Sequence, residues 1–190
     1  MILYDRIFSP ELSDYWDTVS NISANAVGVP LCSSDKKFFA FEKFCNDHRF
    51  IEHKVDSVMV THISDGYKIS LIEFKGGRTS DDWDKDCFAL KAFDTIHCGL
   101  SRLINNSDDW LRLFACKLEY LIICSDDNII FKSPSESTSK FRSRTQILDG
   151  RQKLDKLKGS LQRYENKHPF DSIIVTCSTI FNEQYINRFV

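Results

Sequence analysis

The chain has 190 residues, enough for one domain with a substantial core, and its 42% hydrophobic and 27% charged residues exclude a disordered polypeptide. No apolar run reaches bilayer length, and the start, Met1-Ile2-Leu3-Tyr4-Asp5-Arg6, lacks a basic region followed by an apolar core, so a soluble protein is expected, cytoplasmic or nucleoid-associated and without a membrane partner. The net charge of −2 hides an asymmetry: residues 1–131 carry 14 basic and 21 acidic groups, residues 132–168 carry 10 and 4, which suits an acidic site for cations beside a separate basic surface.

Ser9-Pro10-Glu11 opens the first predicted helix, with Leu12, Tyr15, Trp16 and Val19 at helical spacing, so residues 1–33 read as a helical extension. Ser34-Asp35 caps a second predicted helix over Lys36 to Arg49, whose stripe of Phe38, Phe41 and Cys45 leaves Glu42 beside it. Val55 to His62 and Tyr67 to Lys75 read as strands, because both are rich in β-branched and aromatic residues, and Asp65-Gly66 between them is a hairpin signal.

After the hairpin, Thr79-Ser80-Asp81-Asp82 caps a long predicted helix with Trp83, Cys87, Leu90, Phe93, Leu100 and Ile104 at helical spacing and Lys85 and Lys91 on or beside its polar side. Leu118 to Cys124 is a short apolar strand, and Asn128 to Phe131 reads as a fragment of another. Ser133 to Arg144, serine-rich and basic, reads as a surface connection. A basic amphipathic helix is then predicted over Ile147 to Tyr164, weakened at its start by Gly150, and a last buried strand over Asp171 to Cys177. Helices interspersed with strands, without internal repeats, imply a single α/β domain with a mixed sheet flanked by helices.

Seven cysteines (Cys32, Cys45, Cys87, Cys98, Cys116, Cys124, Cys177) form an odd set without close pairs and read as buried free thiols. The five histidines are scattered, and His48 and His53 have no metal-motif spacing, so structural or surface roles are assigned to them.

Glu73-Phe74-Lys75 closes the second hairpin strand, and the period of two puts Glu73 and Lys75 on one face with Ile69 and Leu71. With Asp65 and Gly66 as the central turn residues, Ser64 faces Tyr67, Val58 faces Glu73 and Asp56 faces Lys75. Asp56 is then the diagonal neighbour of Glu73, about 7–8 Å away between backbones. Two carboxylates and an ammonium converge between apolar neighbours, where uncompensated charge is costly and a bound cation would resolve the conflict. The competing interpretation is a surface Glu/Lys pair with Asp56 as its cross-strand partner, contributing about 0.2–1 kcal/mol.

A helix leading into a hairpin with Asp on its first strand and Glu-x-Lys ending the second, followed by a helix and another strand, resembles the PD-(D/E)xK nuclease superfamily over roughly residues 35–125, although Val55 stands where proline would precede Asp56. The resemblance implies a restriction-endonuclease-like core, here about 35–177 within one nuclease-like domain over 1–190. It also implies a divalent-metal-dependent endonuclease acting on DNA in preference to RNA. Asp56, Glu73 and the Phe74 carbonyl would bind Mg²⁺ or Mn²⁺. Lys75 would orient the attacking water, and Glu42, with Glu52 second, would be the helix carboxylate. Lys91 or Lys85 would be the basic residue of the following helix. Nucleic-acid contacts are assigned to Arg78, Lys91, Lys140, Arg142, Arg144 and Arg151, and a homodimer would suit cutting of both strands. Two alternatives are a catalytically silent nuclease-like domain that binds nucleic acid or a protein partner, and an interaction domain unrelated to nucleic acid.

Overall fold

The computed structural model describes residues 2–49, 51–76, 85–104, 116–126, 152, 155–164 and 169–189. Helix α1 (Ile2–Ile7) and a 3₁₀ turn (Pro10–Tyr15) lead into strand β1 (Trp16–Thr18), the short helix α2 (Val19–Ile22), strand β2 (Lys37–Phe39) and helix α3 (Phe41–His48). Strands β3 (Ser57–Ile63) and β4 (Gly66–Lys75) form the hairpin. Helix α4 (Lys85–Asp94) continues through a π-helical stretch (Thr95–Leu100) into α5 (Ser101–Ile104), before strand β5 (Lys117–Cys124). Residues 155–161 are helical, and β6 (Ser172–Cys177) runs into a C-terminal helical segment from Ser178 to Arg188.

These strands make one mixed six-stranded sheet in the order β1-β2-β3-β4-β5-β6, antiparallel through β4 and parallel from β4 to β6. The single mixed α/β domain expected from the alternating elements is therefore present. A central strand covered on both sides is buried on both faces, and β4 is so from Ile69 to Phe74: Ile69 and Leu71 pack with Phe41, Phe44, Phe88 and Tyr120 on one face, Ile72 and Phe74 with Met59, Leu121 and Phe181 on the other.

The N-terminal third departs from its predicted helices. The first ends at Tyr15, and Trp16–Thr18 joins the sheet as its edge strand, so residues 1–33 are not a separate helical extension. The second begins only at Phe41, because Phe38 and Phe39 point to opposite faces: Phe38 meets Phe181 and Phe189, Phe39 meets Tyr15 and Phe44. Helix α3 ends where Arg49 takes the left-handed conformation (φ 52°) that often closes helices.

The hairpin register also differs from the expected one. Ser64 and Asp65 are the turn, Gly66 (φ +126°) opens β4 opposite Ile63, and Val58 faces Leu71 rather than Glu73. The displacement is two residues, which preserves facing, since only an odd slip turns side chains over. Asp56 no longer stands opposite Lys75. It lies just before β3 begins, level with the Glu73 end of β4.

Four of the seven cysteines are buried, while Cys87 and Cys98 are exposed and Cys116 is intermediate; all are free thiols. Burial pushes the Cys32, Cys45 and Cys124 thiols up to about 12. No helix among the described residues is long and apolar enough to cross a membrane. The predicted cap at Thr79 to Asp82, the Asn128 to Phe131 fragment, the Ser133 to Arg144 connection and the start of the basic helix lie outside the described residues.

Candidate functional site

Glu73 is 1% exposed, on the β4 face that packs against α4. An isolated buried carboxylate would be prohibitively costly. Its Oε1 therefore accepts from Lys91 Nζ of α4 at 2.6 Å and lies 3.2 Å from Lys75 Nζ. Its Oε2 is also buried, yet has no hydrogen-bond partner. Both ammonium groups gather on one oxygen and leave the other orphaned.

Lys91 reads from the sequence as a phosphate contact, but its ammonium is engaged with Glu73. Burial disfavours that ammonium, and the Glu73 carboxylate outweighs the penalty and holds the Lys91 pKa above the usual lysine range. Lys75 sits 5.7 Å above the Phe88 ring centroid, within cation–π range, and remains partly exposed.

Asp56 reaches β4 from the other strand of the hairpin. Its Oδ2 accepts from the Phe74 backbone N–H at 2.5 Å, so the carboxylate is anchored beside Glu73. Burial, then the Glu73 charge, push the Asp56 carboxyl well above the ordinary carboxylate range, against the Phe74 N–H and Lys91, which favour its anion. Two carboxyl groups thus share one end of the sheet, and the ionised form of Asp56 is the one disfavoured.

Glu42 lies in the first turn of α3, exposed, and its N–H donates to the Asp56 carbonyl at 3.2 Å. Its charge also raises Asp56. Glu42, Asp56 and Phe74 line a cavity of about 450 Å³ with Gly76, Ser125 and Asp126. The cavity lies off the carboxyl ends of β4 and β5, the end of an open α/β sheet at which ligands commonly bind. Glu52 is exposed and does not line it.

Among the described residues, no three His, Cys, Asp or Glu side chains converge closely enough to hold a metal ion. The oxygens suited to a hard cation here are the orphaned Glu73 Oε2, the Asp56 carboxylate and the Phe74 carbonyl. That is an all-oxygen set, the donor chemistry that Mg²⁺ and Mn²⁺ prefer. The side chain of Phe74 itself points into the second-face core against Phe181.

Tyr120 escaped the sequence reading. On β5 it pairs with Leu71, one same-face position from Glu73, and its fully buried hydroxyl has no partner. Burial and then the charges of Glu73 and Asp56 hold its phenol well above the usual range, which places the hydroxyl in the field of both carboxylates. A tyrosine in the apolar run Leu118 to Cys124 gives no signal of such a position, since aromatic residues are ordinary in strands. Arg78, Lys140, Arg142, Arg144 and Arg151 lie outside the described residues, and the Lys85 side chain is likewise not described. Comparison with protein-family models, curated proteins and solved structures finds no match to this chain.

Proposed function

We propose that this chain is a divalent-metal-dependent nuclease of the PD-(D/E)xK type, with a restriction-endonuclease-like core, hydrolysing phosphodiester bonds in DNA in preference to RNA. The observation that carries the reading is the buried Glu73 oxygen left without a partner beside a carboxylate, Asp56, whose anion is disfavoured. A fold seldom retains such a conflict without a ligand that relieves it. The order helix α3, antiparallel hairpin β3-β4, helix α4 and parallel strand β5 supports the assignment of the core.

Asp56, Glu73 and the Phe74 carbonyl would hold the cation. Bound Mg²⁺ or Mn²⁺ supplies charge neutralisation at the phosphate, a more acidic water and stabilisation of the leaving oxygen. Lys75, partly exposed at the end of β4, orients the attacking water and offsets charge developing on phosphorus. Lys91 holds Glu73 in place as a positioning residue, and Glu42 stands at the cavity rim as an acceptor for a water. Phosphate contacts from Arg78, Lys140, Arg142, Arg144 and Arg151 belong to the same proposal.

The test is Mn²⁺- or Mg²⁺-dependent cleavage of single-stranded, duplex and branched DNA and RNA by wild type, Asp56→Ala, Glu73→Ala and Lys75→Ala. Loss of cleavage in all three variants is expected, and equal activity in the four proteins would refute the site. A second reading, a silent nuclease-like domain that binds nucleic acid or a protein, is favoured by the two ammonium groups already facing Glu73. Nucleic-acid binding without cleavage, unchanged by Mn²⁺, would select it.

A further inference from the structure

The segment joining α2 to β2 is stitched into a fixed shape. Asn25 Oδ1 accepts from the N–H groups of Val27 and Val29 at 3.1 and 3.0 Å, Asn25 N donates to the Val29 carbonyl at 3.0 Å, and Gly28, at φ +80°, donates to the Asn25 carbonyl at 2.8 Å. A bridge between Ala24 and Pro30 closes the base. This backbone holds Val27 83% exposed and Val29 59% exposed. A single exposed valine needs no explanation, but Val29 is both held exposed and a lining residue of the cavity, which makes it a contact for whatever occupies that space.

The same loop forms one wall of the 450 Å³ cavity through Val29, Pro30 and Leu31, facing Asp56 and Glu42 on the other. That volume lies in the range of small-ligand sites. Among the described residues that line it, none is basic and three are acidic, and the carboxylate of Asp126 is held by the Thr179 N–H and hydroxyl. A second phosphate would be repelled there. The uncharged part of a nucleotide would not be, and its flat apolar face matches valine and proline.

We propose that this cavity takes one unpaired nucleobase next to the scissile phosphate, so that the substrate class is nucleic acid carrying an unpaired nucleotide at the cut. The inference rests on the nuclease reading, because Asp56 is shared between the cavity and the catalytic carboxylates. A base still stacked and paired in a duplex cannot enter, since only extrusion exposes its faces to a protein pocket.

The experiment compares Mn²⁺-dependent cleavage of duplexes differing only in one nucleotide: paired, unpaired, or an abasic analogue. The unpaired substrate should be cut on the order of ten-fold faster than the other two, the discrimination a pocket gives a group it can bury, and a Val29→Ser variant should bring that ratio close to one. A parallel measurement needs no cleavage: 2-aminopurine at the unpaired position should change fluorescence on binding wild type in Ca²⁺, and less with the variant. Equal rates on paired and unpaired substrates, or an unchanged fluorescence signal, would overturn the cavity assignment while leaving metal-dependent cleavage standing. A fluorescence change that the variant abolishes, with no cleavage in Mn²⁺ or Mg²⁺, would uphold the base pocket and sink the nuclease reading.

Discussion

Asp56→Asn should make the metal-free protein more stable at pH 8, although it removes a residue of the proposed metal site. The wild-type carboxyl is pushed well above its ordinary range by burial and by Glu73, and that direction already includes the opposing help of the Phe74 N–H and Lys91. For an acid whose folded pKa is raised, the folded state binds more protons than the unfolded state, so stability falls as pH rises from the unfolded value through the folded one. Asparagine stays neutral and keeps an acceptor for the Phe74 N–H. It therefore recovers about 1.4 kcal/mol for each unit by which Asp56 is raised, and each kcal/mol moves the melting temperature of a chain this size by about 2–4 °C.

The assay is thermal unfolding in EDTA at a series of pH values. The advantage of Asp56→Asn over wild type should be near zero below the ordinary carboxylate range and grow as pH rises. Glu73→Gln should act in the opposite direction, because it leaves Lys91 and Lys75 facing a neutral amide; their partial exposure limits the loss to about 1–3 kcal/mol. Opposite signs from two carboxylates of one site are the signature. An Asp56→Asn protein less stable than wild type at pH 8, or a difference independent of pH, would refute the electrostatic account.

The same proton linkage makes Mn²⁺ binding tighten with pH above the ordinary carboxylate range, since the cation must displace the proton on Asp56; titration calorimetry in two buffers should show proton release, and pH-independent affinity would contradict it. Tyr120→Phe removes a buried hydroxyl without a partner, so it should stabilise the fold by about 1 kcal/mol in thermal unfolding; a variant less stable than wild type would contradict the absence of a partner. Gly99→Ala would set a Cβ 2.5 Å from Cζ of the buried Phe41, forcing the π-helical stretch and α3 apart, and should cost about 1–3 kcal/mol in denaturant unfolding.

The legible parts of this chain are those where one physical signal dominates. Strand β4 announces itself through apolar and β-branched residues bounded by glycines, and the facing of Glu73 and Lys75 follows from its period of two whatever the turn. The register does not follow, because Asp-Gly reads as the centre of the turn, whereas Gly66 uses its freedom at the first strand position. Strand β2 was illegible for a different reason: three residues are too few to show alternation, and Phe38, Phe41 and Cys45 mimic a helical stripe. Lys91 was visible as a helix lysine but not as the partner of Glu73, since that pairing depends on how α4 packs across the sheet.

Placement of the carboxylates explains why a two-residue register error left the site intact. Glu73 belongs to the strand at which the sheet changes from antiparallel to parallel, so it has the hairpin on one side and β5 on the other. Asp56 arrives along the hairpin, Tyr120 along β5 and Lys91 across α4. Three separate elements therefore converge on one buried carboxylate, and sliding either strand by a full pleat keeps its side chains on the same face. Burial of Glu73 concentrates the charge conflict where these elements meet, and its neighbour Asp56 lines the adjoining cavity.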